Sequence, residues 1–189
     1  MRGVDADRVV VTNPARRLGG KRRPRPAGRG FRASLGRRFA VLVGLLATAV
    51  PSTSPSQTAD ESILAESLSE LHRLVNGHRR DAGCRELGWH EGAARVAEAH
   101  SADMSRRDYF DHVAPEGTDL SRRLLKGGVT WHGSIAENLA LTARGPETVI
   151  DLWLNSPPHR AILDECSFTH HGLGLFGDRW TQVLIERPN

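Results

Sequence analysis

The chain has 189 residues, a formal net charge of +4 at pH 7 and a pI of about 9.8, values that suggest a nucleic-acid-binding protein. The charge is unevenly distributed, however: residues 1–38 hold 12 of the 26 Lys and Arg residues and only two acids, and carry +10. The rest of the chain carries −6 and has no basic stripe, which disfavours a nucleic-acid role. Its 39% apolar and 5% aromatic composition allows one modest core.

Residues 1–50 have the pattern of a secretory signal peptide with a long basic n-region. A 12-residue apolar run, FAVLVGLLATAV, follows Arg37 and Arg38 and precedes Pro51. As a helix it would rise only about 18 Å, too short for the roughly 30 Å hydrocarbon core of a bilayer. We therefore predict a secreted, extracellular protein with no stable membrane span after cleavage. A buried helix of the folded domain is the alternative interpretation of this run.

Residues 51–59 are rich in Pro, Ser and Thr, and we predict a flexible linker that leads into a single domain over residues 60–189. Thr58 and Glu61 have the spacing of a helix capping box. Because leucines follow them at helical intervals, a first helix is predicted over residues 60–81.

Further helices and strands are predicted from periodicity and turn signals. The predicted helices cover residues 90–104, residues 120–125 and a stretch that begins at Pro146 and ends at Pro157-Pro158. The predicted strands cover residues 134–142, 172–177 and 180–186. Helices first and paired strands last predict an α+β domain whose helices pack on a small, mainly antiparallel sheet.

The two cysteines lie far apart in the sequence. Cys84 follows the first predicted helix and Cys166 follows the fourth. In an exported chain this pair permits one intramolecular disulfide, and two buried free thiols are the alternative. The spacing excludes a CxxC redox or zinc pair.

Nine histidines occur in the chain, and three positions attract attention. His100 lies on the apolar face of a predicted helix, where a hydrogen-bonded core histidine is expected. His112 lies in DYFDHVAPEG and His159 in WLNSPPHRAIL, two unusual local sequences. Between them, Glu137 in AENLA is a carboxylate beside apolar residues on a predicted strand.

Four ordered motifs, HSADMSRRDYFDHVAPEG, AENLA, WLNSPPHRAIL and GLGLF with WTQ, resemble the bacterial branch of the CAP superfamily. These SCP-like domains include cysteine-rich secretory, antigen 5 and pathogenesis-related proteins. The resemblance covers residues 71–185 and implies an α-β-α sandwich, with a small mainly antiparallel sheet between helices and a central cleft. Cys84 and Cys166 are similar to a pair in some bacterial members, which implies a disulfide.

The resemblance also implies a site. In that family two histidines and one or two glutamates line the cleft, and divalent metal has been associated with them. These positions match His112, Glu137 and His159, whereas Ser156 stands where many members carry the second glutamate. Two imidazoles and one carboxylate can hold zinc with an open position for water. We expect a divalent metal, zinc or calcium, and a metal-free polar cluster is the alternative.

The resemblance favours a secreted ligand-binding or interaction module for a small-molecule, lipid-like or cell-wall ligand. The alternative is a metal-dependent, peptidase-like hydrolase that uses the same cleft, in which Glu137 assists proton transfer. A serine triad is not indicated, because no serine stands in a G-x-S-x-G turn. The sequence alone assigns no catalytic residue and no oligomeric state.

Overall fold

The computed structural model describes residues 10–12 and 55–187, with side chains from residue 60 onward. The helices of this part are α1 (Pro55–Asp81), α2 (Glu91–Arg106), α3 (Leu120–Lys126), α4 (Pro146–Leu154) and α5 (Pro157–Leu163). Its strands are β1 (Val10–Thr12), β2 (Gly88–Trp89), β3 (Ile135–Leu141), β4 (His170–Phe176) and β5 (Arg179–Ile185). Apart from β1, the predicted signal peptide lies outside the described residues.

The strands form one sheet in the order β1-β3-β5-β4-β2. The β1–β3, β3–β5 and β4–β5 pairs are antiparallel, and β2 runs parallel to β4. This confirms the predicted α+β fold with a mainly antiparallel sheet. The two-residue strand β2 was not predicted, because it is too short to show an alternation of apolar and polar residues.

Two helix boundaries differ from the sequence-based prediction. The helix α1 begins at Pro55, inside the segment predicted to be linker and ahead of the capping box. The Pro157-Pro158 pair does not only follow α4: it forms the first turn of an additional helix, α5. Proline is well tolerated there, because the first backbone N–H groups of a helix have no partner within the helix.

The sheet lies between two helical layers, each with its own core. One core joins the sheet to α1, α4 and α5, and includes Leu71, Val75, Val149, Trp153, Leu163, Leu173 and Leu184. The other joins the sheet to α2 and α3, and includes Ala93, Val96, Ala97, Leu120, Leu124, Ile135, Val183 and Ile185. Because side chains alternate along a strand, Glu137 faces α2 and α3 with Ile135, and Asn138 faces the other layer.

The helix α2 packs unusually close to β4. A Cβ atom on Gly172 would overlap the backbone nitrogen of Ala94, and one on Gly174 would overlap that of Glu98. At both positions the space that a side chain would occupy lies against α2, and the backbones of strand and helix leave no room for a Cβ atom. Glycine is therefore required here for the close approach of a helix and a strand.

The C-terminal end of α1 is joined to the end of α5 and the segment after it by a disulfide and by hydrogen bonds from a buried arginine. The predicted Cys84–Cys166 disulfide is present. Beside it, the fully buried Arg79 donates hydrogen bonds to the carbonyl oxygens of Leu163 at 2.8 Å, Glu165 at 3.0 Å and Phe168 at 3.1 Å. A fourth bond reaches the carbonyl of Arg85 at 3.0 Å. A covalent and a polar link thus hold the same junction.

A buried chain of polar side chains connects α1 to the sheet. His72 Nδ1 lies 2.6 Å from His171 Nε2, and Gln182 Nε2 lies 2.9 Å from His171 Nδ1. Asn138 donates to Gln182 Oε1 at 3.0 Å. Burial, and next the charge of His72, lower the pKa of His171 from 6.5 to about 3. The folded protein therefore holds His171 neutral.

This low pKa predicts a loss of stability in acid that depends on His171. The unfolded chain takes up a proton near pH 6.5, whereas the folded chain resists it down to about pH 3. Stability is therefore full above pH 6.5 and falls as the pH drops through this window. When the free energy of unfolding is measured by urea titration at several pH values from 7 to 4, it is expected to fall less steeply with decreasing pH in His171→Gln than in wild type. The exposed-site control His132→Gln should follow wild type, and equal slopes for all three proteins would contradict the assignment.

Candidate functional site

The centre of the site is the carboxylate of Glu137 on β3, which is fully buried. Its Oε1 lies 2.9 Å from His112 Nδ1, and its Oε2 accepts a hydrogen bond from Arg123 at 2.7 Å. Burial by itself would raise the pKa of Glu137, but the His112 hydrogen bond and the Arg123 charge outweigh it, and the pKa is lowered. Glu137 is therefore ionised at neutral pH, with both oxygens in use.

Arg123 links three parts of the site. From α3 its guanidinium reaches Glu137, and it also donates to the carbonyl oxygens of His112 at 2.9 Å and Thr118 at 3.1 Å. The helix that carries it is capped by Asp119, whose side chain accepts from the Arg122 backbone N–H. Arg123 thus fixes the loop of His112 relative to the strand of Glu137.

His100 on α2 completes this cluster. It is buried, and its Nε2 lies 3.0 Å from the Asp111 carbonyl and 3.8 Å from Glu137 Oε1. Burial lowers the pKa of His100 and outweighs the attraction of Glu137. The sequence predicts a core histidine here, and the structure has one whose Nε2 is hydrogen-bonded and whose Nδ1 has no hydrogen-bond partner among the described residues.

A cleft between α2 and α3 opens above His100 and Arg123, which line its inner end. Its volume is about 430 Å³, within the usual range of small-molecule sites. Small and apolar side chains form one part of this α2–α3 cleft: Val96, Ala99 and Ala114. Charged side chains form another part: Arg95, Asp103, Glu116 and Lys126.

Some of the charged side chains around the α2–α3 cleft form ion pairs and others do not. Asp103 and Glu116 both pair with Arg107, at 3.3 Å and 2.7 Å. The hydrogen bond from Arg107 is the main reason that the pKa of Glu116 falls to about 2. Arg95 and Lys126, in contrast, form no ion pair with a described acid. The cleft therefore combines apolar surface with two cationic side chains, Arg95 and Lys126, that lie in no described ion pair.

Two of the three residues predicted to hold a metal contact each other in the structure. His112 and Glu137 are in direct contact, and His159 is buried on α5, a helix whose Ile162 and Leu163 belong to the core of the other layer. Across the residues that the structure describes, no group of three or more His, Cys, Asp and Glu side chains is placed to hold a metal ion. Metal binding at these residues stays a prediction.

The three-residue ligand set fits this geometry poorly. Each oxygen of Glu137 already accepts a hydrogen bond, one from Arg123 and the other from His112, so a metal ion on either oxygen would crowd one of these groups. His112 Nε2, by contrast, is buried and has no hydrogen-bond partner among the described residues. In many metal sites, a histidine binds the metal through one ring nitrogen and donates the N–H of the other to a carboxylate. In that arrangement the carboxylate orients the histidine and does not itself bind the metal.

Arg123 is the residue in contact with Glu137 that sequence reasoning missed. It belongs to SRRLLK, where two adjacent arginines look like a solvated helix surface. The helical period does contain a signal: Arg123 stands three residues after the buried Leu120 and next to the buried Leu124, on the inner face. Arg122, one residue earlier, points outward and is exposed.

Comparison with known sequences gives one family match and two similar proteins. The sequence model described as the cysteine-rich secretory protein family matches residues 72–182. Two Bacillus subtilis proteins are similar: "Uncharacterized membrane protein YlbC", 33% identical over 70% of this chain, and "Uncharacterized protein YkwD", 31% identical over 71%. The aligned regions span only 39% and 52% of those relatives.

Solved structures show the same fold. An extracellular protein with an SCP domain from Bacillus anthracis superposes with a TM-score of 0.66 at 29% identity, over 73% of this chain and 45% of that one. A cysteine-rich secretory protein from Staphylococcus aureus gives 0.57 at 22% identity, over 65% and 39% of the two chains. An outer surface protein from Borrelia burgdorferi gives 0.60 at 20% identity, over 65% and 94%.

Proposed function

This chain belongs to the cysteine-rich secretory protein family, and from that premise we propose that it is an exported module that binds a small amphiphilic ligand in the α2–α3 cleft. The observation that carries the proposal is the cleft itself, with apolar walls, with Arg95 and Lys126 that pair with no described acid, and with His100 and Arg123 at its inner end. A lipid-like or cell-wall-derived molecule with an apolar part and a negatively charged group would complement such a surface.

Export is the second part of this proposal. It rests on the signal-peptide pattern of residues 1–50 and on the similarity to an SCP-domain protein that is itself extracellular. Within the described residues, no helix combines the length and the apolar character needed to cross a bilayer. A disulfide between Cys84 and Cys166 is also typical of proteins that work in oxidising compartments.

Binding is favoured over catalysis because of how Glu137 is held. A general base must be free to take up a proton, and ideally has a pKa near the working pH. Arg123 and His112 instead lower the pKa of Glu137 and occupy both of its oxygens. The buried Ser101 gives no nucleophile either, since its hydroxyl contacts Thr181 and the Gly174 carbonyl.

The binding proposal predicts that filling the α2–α3 cleft abolishes ligand uptake. Ala99 lines the cleft, and in Ala99→Trp the indole would occupy space needed by a ligand. Titration with the amphiphilic anion 1-anilinonaphthalene-8-sulfonate, followed by fluorescence, is expected to show an affinity loss of about tenfold or more. The matched control is Ala65→Trp, on the exposed side of α1, which should bind like wild type.

Two outcomes would contradict the binding proposal. One is unchanged dye affinity in a folded Ala99→Trp protein, together with native mass spectra that show nothing co-purifying with the wild-type chain. The other is hydrolysis of casein or peptidoglycan that is sensitive to chelators and lost in His159→Ala. That second result would favour the metal-dependent hydrolase instead.

A further inference from the structure

The environment of Glu137 already contains a cation. The Arg123 guanidinium lies 2.7 Å from Glu137 Oε2, and the two groups form a buried ion pair. A carboxylate in this position would otherwise be costly, because an unpaired buried charge is strongly destabilising. Arg123 thus neutralises Glu137 without help from outside the chain.

Arg123 is also held in place by bonds that do not involve Glu137. One of its terminal nitrogens donates to the carbonyl oxygens of both His112 and Thr118, while the other faces Glu137. Its side chain is only 11% exposed. The guanidinium can therefore leave the carboxylate only if the loop around His112 also loses its hydrogen bonds.

A divalent ion that used Glu137 as a ligand would meet two penalties here. It would have to share a buried oxygen that already accepts a hydrogen bond from Arg123 or His112, and it would sit next to the guanidinium charge. Like charges at such distances repel strongly where water is excluded. The remaining role open to Glu137 is to hold the His112 ring by its Nδ1 atom, with Nε2 on the far side.

We propose that Arg123 is a specificity-determining residue of this centre: its guanidinium takes the place of a metal beside Glu137, so Glu137 orients His112 and does not bind a divalent ion. This inference does not depend on what the α2–α3 cleft binds. It assigns the same carboxylate a different partner from the one that the resemblance implies.

The test is calorimetric titration of the full oxidised chain with Zn²⁺ alone. In Glu137→Gln the number of zinc ions bound is expected to stay the same, whereas any site that uses His112 is expected to weaken because the ring loses its orienting carboxylate. Arg123→Gln removes the charge at similar size, and is expected to create one additional site. That site should bind at least about tenfold more tightly than any wild-type site, and should disappear in the Arg123→Gln/Glu137→Gln double variant. The exposed neighbour provides a matched control, Arg122→Gln, which should behave like wild type.

A folded Arg123→Gln protein with no new zinc site would overturn the proposal. Histidine side-chain NMR of the wild-type chain needs no variant and covers the case in which these variants do not fold. The His112 Nδ1 proton bonded to Glu137 is expected to persist when one equivalent of Zn²⁺ is added. Its loss would show that the metal has taken Glu137, and would also overturn the proposal.

Discussion

Replacing Gly174 with alanine is expected to lower the free energy of unfolding by about 3 kcal/mol or more. The added Cβ would overlap the backbone nitrogen of Glu98, and neither the helix α2 nor the strand β4 can move without disturbing the core between them. Gly172→Ala should behave alike, because its Cβ would overlap the Ala94 backbone. Guanidinium chloride unfolding with the disulfide intact measures the change.

The same substitution elsewhere in the chain should have the opposite effect. Gly77 lies within α1, and a Cβ there would meet only the flexible end of Arg80 at 3.8 Å. Because alanine is a better helix former, Gly77→Ala is expected to raise the free energy of unfolding by roughly 0.5–1 kcal/mol. If Gly174→Ala were as stable as wild type, the close packing of α2 on β4 would be wrong.

Replacing Arg79 with methionine is expected to cost about 3–5 kcal/mol of stability. Methionine fills much of the same space but donates no hydrogen bonds, so the carbonyl oxygens of Leu163, Glu165 and Phe168 lose their partner. Buried acceptors without a donor are expensive, and three of them lie in one short segment. Chemical unfolding under oxidising conditions separates this effect from that of the disulfide.

The adjacent residue supplies a matched control for Arg79. Arg80 is exposed and pairs with Glu86 at the surface. Exposed ion pairs contribute little, so Arg80→Met should change the free energy of unfolding by less than about 1 kcal/mol. Equal effects at the two positions would mean that the buried hydrogen bonds of Arg79 do not stabilise the junction.

Much of the fold could be predicted from local patterns, and the failures have physical causes. The helix predicted over residues 120–125 and the strand predicted over residues 134–142 are both present, as Leu120–Lys126 and Ile135–Leu141. Pro157-Pro158 predicts only a helix end, since a proline pair that follows one helix looks the same in sequence as a pair that begins the next. The glycines of GLGLF marked a strand, but nothing local shows that α2 packs on them.

The site was predicted less completely than the fold. The family motifs pointed to His112 and Glu137, which are in contact, and to His159, which lies on the helix α5. Arg123 was overlooked because the partner of a buried carboxylate can come from any part of the chain. It is 14 residues away from Glu137 in sequence, on a different element, and no motif connects the two. Only the tertiary structure shows that the pair exists.

The junction held by Arg79 has a consequence for how the disulfide forms. The two cysteines are 82 residues apart, so in an unfolded chain they meet rarely. Once Arg79 has gathered the segment after α5, the two thiols are already neighbours, at a high effective concentration. Oxidation then links two cysteines that the fold already holds side by side. A reduced chain is thus expected to fold first and to form the disulfide afterwards.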